Sequence, residues 1–269
     1  MPTAQQVSPA PRTFGAVNWL GLWTLYAKEV RRFVKVATQT MLAPLVTTML
    51  YLAIFVLAIG DAVHQVGDVR FDAFLAPGLI MMAIIQNAFA NTSSSIMIAK
   101  VQGNIVDTLM PPLSPGELTC GFALGGVTRG IAVAVVMWAA MAVVLPVAVH
   151  DAFFVVFHAV AGSLMLSLLG IIGAIWSEKF DHIAAVTNFV ITPFSFLSGT
   201  FYSIQNLPGF WRDVAQLNPF FYMIDGFRYG FTGHADGSLV VGVVAVTVVN
   251  ALLWALAYRM FASGYRLKA

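Results

Sequence analysis

Apolar residues in this chain gather into six long blocks separated by short polar stretches. The blocks run at about 38–59, 74–99, 118–149, 153–176, 183–200 and 239–260. A bilayer hydrocarbon core of ~30 Å takes ~20 apolar residues per helix. Within lipid, a helix satisfies every backbone polar group inside its own segment. The pattern therefore predicts an all-α polytopic membrane protein with six transmembrane helices. The third block exceeds the length one crossing needs, which predicts a tilt or an extension beyond the bilayer. Pro44, Pro77, Pro146 and Pro193 fall within or near the blocks, where membrane helices tolerate proline.

The residues outside the blocks follow other patterns. Residues 1–17 are polar, carry Pro2, Pro9 and Pro11, and read as a flexible cytoplasmic N-terminus. They lack the apolar run of a cleavable secretion signal, so this end is expected to persist on the side of synthesis. Residues 18–36 place Trp19, Trp23, Tyr26, Val30 and Phe33 at spacings of four and three, on one helical face. Lys28, Arg31, Arg32 and Lys35 gather on the other side. Such a helix is too charged to span. It suits the membrane interface, with aromatics at the acyl boundary and cations toward lipid phosphates.

The 203–231 segment is too polar and too broken to span. Its turn signal, Asn218-Pro219, separates a mixed stretch from an aromatic-rich one. Two short re-entrant helices before the last span are expected, with Tyr202, Trp211, Tyr222 and Tyr229 at interfacial depth and Asp225 paired with Arg228 on one turn. A loop lying on the outer surface is the alternative. The transmembrane domain is read as residues 37–262, with 263–269 as a cytoplasmic tail. With the N-terminus inside, ten cations (Arg12, Lys28, Arg31, Arg32, Lys35, Lys100, Lys179, Arg259, Arg266, Lys268) face the cytoplasm and three (Arg70, Arg212, Arg228) face outward. That bias predicts both termini cytoplasmic, in a multi-pass protein of a bacterial inner membrane.

Composition narrows the chemistry. Hydrophobic residues make up 59% of the chain and charged ones 10%, a balance that leaves a soluble domain no polar surface. The formal charge of +2 with no basic run argues against a nucleic-acid partner. The single Cys120 excludes an intrachain disulfide and a cysteine zinc cluster. No Gly-Lys pair exists, so the chain cannot hold ATP through a P-loop. His64, His150, His158, His182 and His234 lack metal-ligand spacing, no His-Glu-x-x-His or Gly-x-Ser-Gly box occurs, and no metal or catalytic site is expected.

Polar groups inside the blocks are the functional candidates, because burying them in lipid is costly. Asn87, Asn91, Ser94 and Ser95 form a stripe on the second span. It lines a passage or a subunit interface, or it joins helices by hydrogen bonds. Arg129 is the cation well inside a span, with an acidic neighbour, a lipid phosphate or the cytoplasmic face as its partner. Gly121 with Gly125, and Gly126 with Gly130, give two small-residue spacings suited to close helix approach. In the loop 100–116, Asn104, Ile105, Val106, Asp107, Thr108, Leu109 and Met110 make about two helical turns stopped by Pro111-Pro112. The apolar side of that short helix faces water, as a docking knob for another protein would.

Five stretches carry a family resemblance: Phe74–Met82, Gly103–Pro112, Gly125–Gly130, Leu197–Ser203 and Leu217–Gly230. In this order, around six spans and a basic leading helix, they resemble the membrane subunit of type-2 ATP-binding-cassette exporters, close to the YadH-like branch of bacterial transport permeases. The resemblance implies a half-transporter. Two permease copies flank a central route, and two copies of a separate ATPase, which holds ATP and Mg, sit below; no cofactor is implied for this chain. Asn104–Met110 then corresponds to the coupling helix, 18–36 to the interfacial connecting helix, and Tyr202, Trp211, Asn218, Pro219, Asp225 and Arg228 to the outer re-entrant pair. Ser203 departs from the proline of many relatives. The expected cargo is amphipathic or hydrophobic: a lipid, a lipid-linked glycan or a drug. A membrane scaffold that anchors an ATPase, and a passive channel, are the alternatives.

Overall fold

The computed structural model describes residues 15–60, 63–145 and 148–267. The expectations for residues 1–14, Asp61, Pro146 and Lys268 lie outside the described residues. Helix α1 covers Trp19–Lys35, and a π-helical turn, Thr38–Leu42, leads into α2, Ala43–Ile59. A short hairpin of β1 (Gln65–Val66) and β2 (Val69–Arg70) precedes α3, Phe71–Val101. Then follow α4 (Ile105–Leu109), α5 (Pro115–Val144) and α6 (Ala152–Trp176). The fifth apolar block is α7 (Phe180–Val186), a second π turn (Thr187–Ile191) and α8 (Thr192–Leu197). After a 3-10 turn at Ile204–Asn206 come α9 (Gly209–Leu217), α10 (Pro219–Thr232) and α11 (Leu239–Ser263).

Among the described residues, six helical stretches are long and apolar enough to cross a membrane, as the block pattern predicts. Their bounds follow the blocks to within a few residues except at the third. There the helix ends at Val144, and the chain turns so that the amides of His150 and Asp151 donate to the Gly230 carbonyl. The apolar run continues to Val149, which lies exposed beyond the helix end.

Helix α3 is the centre of the bundle. It is buried along most of its length and packs chiefly against α6, α5 and α10. Its 31 residues give a rod of about 46 Å, well beyond a ~30 Å hydrocarbon core. Helix α5, at 30 residues, is equally overlong. The two glycine stripes of α5 serve different neighbours. At Gly121 and Gly125 a Cβ would stand 2.6 Å from Leu25 and 2.5 Å from Glu29 of α1, whereas Gly126 and Gly130 face Ser167 and Ser163 of α6. Small residues on two sides thus let one helix approach two others closely.

The two short helices before the last span are asymmetric. In α9, Phe210, Trp211 and Leu217 are exposed, while α10 is buried among α6, α3 and α11 as a core helix. Asn218 closes α9 and caps α10, its side chain accepting from the Phe220 amide at 3.0 Å. Pro219 sits at the first helical position, where its missing N–H costs nothing.

Candidate functional site

The loop after α3, both described ends of the chain and the α6–α7 connection lie at one end of the bundle. Gly103 takes a left-handed φ of 73° and turns the chain into α4. Ile105 and Thr108 point inward and are buried; Val106, Asp107 and Met110 are exposed, as is Asn104, and Leu109 is half-buried. The α4 ridge stands between two clefts of about 550 Å³ each. One is walled by Asn18, Thr24 and Lys28 of the α1 side, the other by Lys100, Glu178, Arg266 and the buried Leu267.

The ridge is tied to the bundle by specific bonds. Lys28 Nζ donates to Thr108 Oγ1 at 3.3 Å, which links α1 to α4. Asn18 donates through its backbone to Glu117 Oε1 at 2.5 Å and through its side chain to the Pro112 carbonyl at 3.1 Å. Glu117 also closes a capping box with Ser114 at the start of α5. Behind α4, Lys100 Nζ donates to the carbonyls of Ala174, Ile175 and Ser177 at 3.1, 2.7 and 2.5 Å. A cation there satisfies the orphan carbonyls of the α6 terminus and opposes its dipole. The Ser114-Glu117 spacing was a readable capping signal; Lys100 as a cap required the fold.

Helix α1 climbs beside α5: Asn18 meets Glu117, Leu25 meets Gly121, Glu29 meets Gly125, and Tyr26 Oη lies 3.0 Å from Thr128 Oγ1. Phe33 and Arg32 depart from the expected faces. Trp19 and Trp23 are exposed, and the side packed on the protein is Leu25, Glu29 and Phe33. Lys28, Arg31 and Lys35 are exposed, but Arg32 turns inward. Its guanidinium reaches Ser94 Oγ at 3.1 Å, Asn91 O at 2.5 Å, Asn91 Oδ1 at 3.0 Å and Glu29 Oε2 at 3.3 Å. Glu29, fully buried, takes Ser95 Oγ on its other oxygen at 2.6 Å. The aromatic count marked one face of α1, but the i, i+3 pair Glu29–Arg32 was the signal for the buried one.

The stripe on the second span thereby meets both α1 and α5. Asn91, Ser94 and Ser95 bond to α1, and Asn87 Oδ1 accepts from Arg129 Nη2 of α5 at 2.8 Å. Asn87 and Ser94 also line a groove of about 400 Å³ between α3 and the α7–α8 span.

At the other end, Asp225 and Arg228 do not pair with each other. Asp225 accepts the amides of Asp236 and Gly237 at 2.8 and 2.9 Å. The fully buried Arg228 donates from Nε to the Phe74 carbonyl at 3.1 Å and from Nη2 to the Gly199 carbonyl at 2.6 Å. Its guanidinium carbon also lies 3.8 Å from the centre of the Phe74 ring. Both residues are more strongly held by loop and helix-end backbone than one turn's spacing could offer. Ser203 donates to Asp236 Oδ1 at 2.8 Å and Tyr202 to the Leu197 carbonyl at 3.0 Å, so the chain leaving α8 is pinned on both sides.

Comparison with known proteins agrees with this architecture. The sequence model of the family described as ABC-2 type transporter matches residues 21–232. The chain is 39% identical over 245 residues to the inner membrane transport permease YadH of Escherichia coli strain K12, covering 90% of this chain and 96% of that protein. It is 26% identical over 250 residues to nodulation protein J of Rhizobium leguminosarum bv. viciae, covering 87% and 91%. With the family matched from α1 through α10 and six helices able to cross a membrane, the chain belongs to the ABC-2 type transporter family as a polytopic, all-α transporter subunit.

Proposed function

We propose that this chain is the permease of an ATP-driven exporter in a bacterial inner membrane, with both termini cytoplasmic. Two copies work with two copies of a separate ATPase, which binds ATP and Mg and carries out the hydrolysis. The cargo is amphipathic or hydrophobic (a lipid, a lipid-linked glycan or a drug) and moves outward. The observation that carries this reading is the α4 ridge: exposed Val106 and Met110 on a helix held between two clefts. A partner gripping α4 would pull directly on α1 through Thr108 and Lys28, and α1 is bonded to α3 and α5. Packed helices with buried networks move as units, so such a pull supports a switch between two arrangements of the bundle. The likeness to an inner membrane transport permease of Escherichia coli supports both transport and the location.

The second copy fits the least covered spans. Leu57 of α2 and Phe189 of the second π turn are both strongly exposed in the single chain. Inside-out vesicles holding this chain and its partner ATPase test the proposal. ATP-dependent accumulation of an amphipathic cargo, lost when α4 is altered, is the expected result. Normal binding of the ATPase without any ATP-dependent movement across a broad cargo panel would leave only the scaffold role.

A further inference from the structure

The cluster around Arg32 and Arg129 has an imbalance that its own residues do not correct. It contains two guanidiniums and one carboxylate. Both oxygens of Glu29 are taken, by Arg32 and Ser95. Among the described residues Arg129 bonds to the neutral amide oxygen of Asn87 alone, and Arg32 stands near enough to repel it. The unpartnered buried polar atoms of the cluster are Arg32 Nε, Arg129 Nε and Asn91 Nδ2. All three are donors. A low-dielectric site with excess positive charge and surplus N–H groups is completed by an anion that only accepts.

Depth and access narrow the anion. On the orientation proposed above, counting ~20 residues inward from the outer end of α3 at Phe71 places Asn91 near the inner edge of the hydrocarbon core. Asn87 and Arg129 lie one turn deeper, where a charge is costly unless paired. Arg129 is partly exposed, and the side chains that hold the two cations, Asn87 and Ser94, form the wall of the groove between α3 and the α7–α8 span. That groove joins Gln86, Ser93 and Thr187 to apolar Phe89, Ile183 and Ile191. Its lining is amphipathic.

We infer that Arg129 and Arg32, with Asn87 and Ser94, form a binding site for the phosphate of an amphiphile in the inner leaflet. The acyl part lies along the apolar side of the groove. The site belongs to this chain alone and does not depend on an ATPase. The phosphate comes from a resident phospholipid or from a cargo in transit.

Purified chain in neutral detergent, titrated with phosphatidylglycerol or with diacylglycerol of the same chains and read by native mass spectrometry, tests the site. The wild type is expected to retain phosphatidylglycerol preferentially. Arg129→Gln should lose about tenfold or more of that retention, the effect of removing one charge-assisted contact. Arg129→Lys should keep most of it. Asn87→Asp supplies an internal counter-ion, so it should lower retention while the elution profile stays monodisperse. Arg31→Gln, altering an exposed cation of the same region, should change nothing. Equal retention of both lipids by the wild type, or unaltered phosphatidylglycerol binding by both Arg129→Gln and Asn87→Asp, overturns the inference. Adding the ATPase and ATP separates the sources: depletion of bound phospholipid identifies cargo, and persistence identifies a resident lipid, each in support of the site.

Discussion

Arg228 offers the sharpest test of how the outer half is held. Replacing it with methionine keeps an unbranched side chain of similar reach and removes the guanidinium. Two donor contacts are lost, to Phe74 O at 3.1 Å and Gly199 O at 2.6 Å, together with the stacking on the Phe74 ring. Charge-assisted bonds contribute about 1.5–3 kcal/mol each, and a stripped buried carbonyl costs about 1–3 kcal/mol. The desolvation of a buried cation, several kcal/mol in the opposite direction, no longer has to be offset. The balance leaves a destabilisation of about 2–4 kcal/mol, because two helix ends lose their common donor. At ~2–4 °C per kcal/mol for a chain of this size, melting should fall by about 5–15 °C. Fluorescence-detected size exclusion after heating at a fixed rate measures it, with proteolysis of the 203–209 segment as a local readout. Arg228→Lys, which keeps the charge but not the fork, should lie between the two. An Arg228→Met protein melting within about 2 °C of wild type would refute the role assigned to these bonds.

Other outcomes follow from the same contacts. Gly125→Val should drive α1 off α5, since its Cβ meets Glu29 at 2.5 Å; cross-linking of Tyr26→Cys to Thr128→Cys should drop severalfold, and an unchanged yield contradicts the packing. Met110→Glu and Val106→Glu, at exposed sites, should abolish co-purification of the ATPase with normal melting, whereas Ile105→Glu should destabilise the chain by about 2 kcal/mol or more. Lys100→Met should lower stability by about 1–3 kcal/mol through the uncapped α6 terminus, and unaltered melting would argue against the cap. Arg31→Glu should weaken binding to anionic vesicles by about 1 kcal/mol per charge without unfolding. Arg32→Glu instead sets a second carboxylate beside Glu29 and should unfold the α1–α3 junction; equal behaviour of the two variants in a melting assay would remove the distinction.

The spans were legible because each needs a long apolar run, and chemistry alone requires that run in lipid. The short helix after α3 was legible for a related reason: proline bounds it and its apolar side lies outside the long apolar runs. Residue partners were not. Arg32 looked like one more interfacial cation, and only the placement of Asn91 beside it shows otherwise. Asp225 and Arg228 share a helical turn, yet each bonds to backbone brought close by distant segments. Glu29 is the one acid of α1, and nothing in the apolar spacing marks it as the residue that turns into the bundle. Periodicity records which side of a helix is greasy. It is silent on which polar group will meet another.

The two π turns, Thr38–Leu42 and Thr187–Ile191, sit in the first and fifth spans, the two least covered of the six. Each stores one surplus residue relative to α geometry. Were either to tighten, the helix beyond it would advance by about 1.5 Å and swivel by about 100°, as a screw does in its thread. Leu57 or Phe189 would then be carried from one flank to another without any break in the backbone.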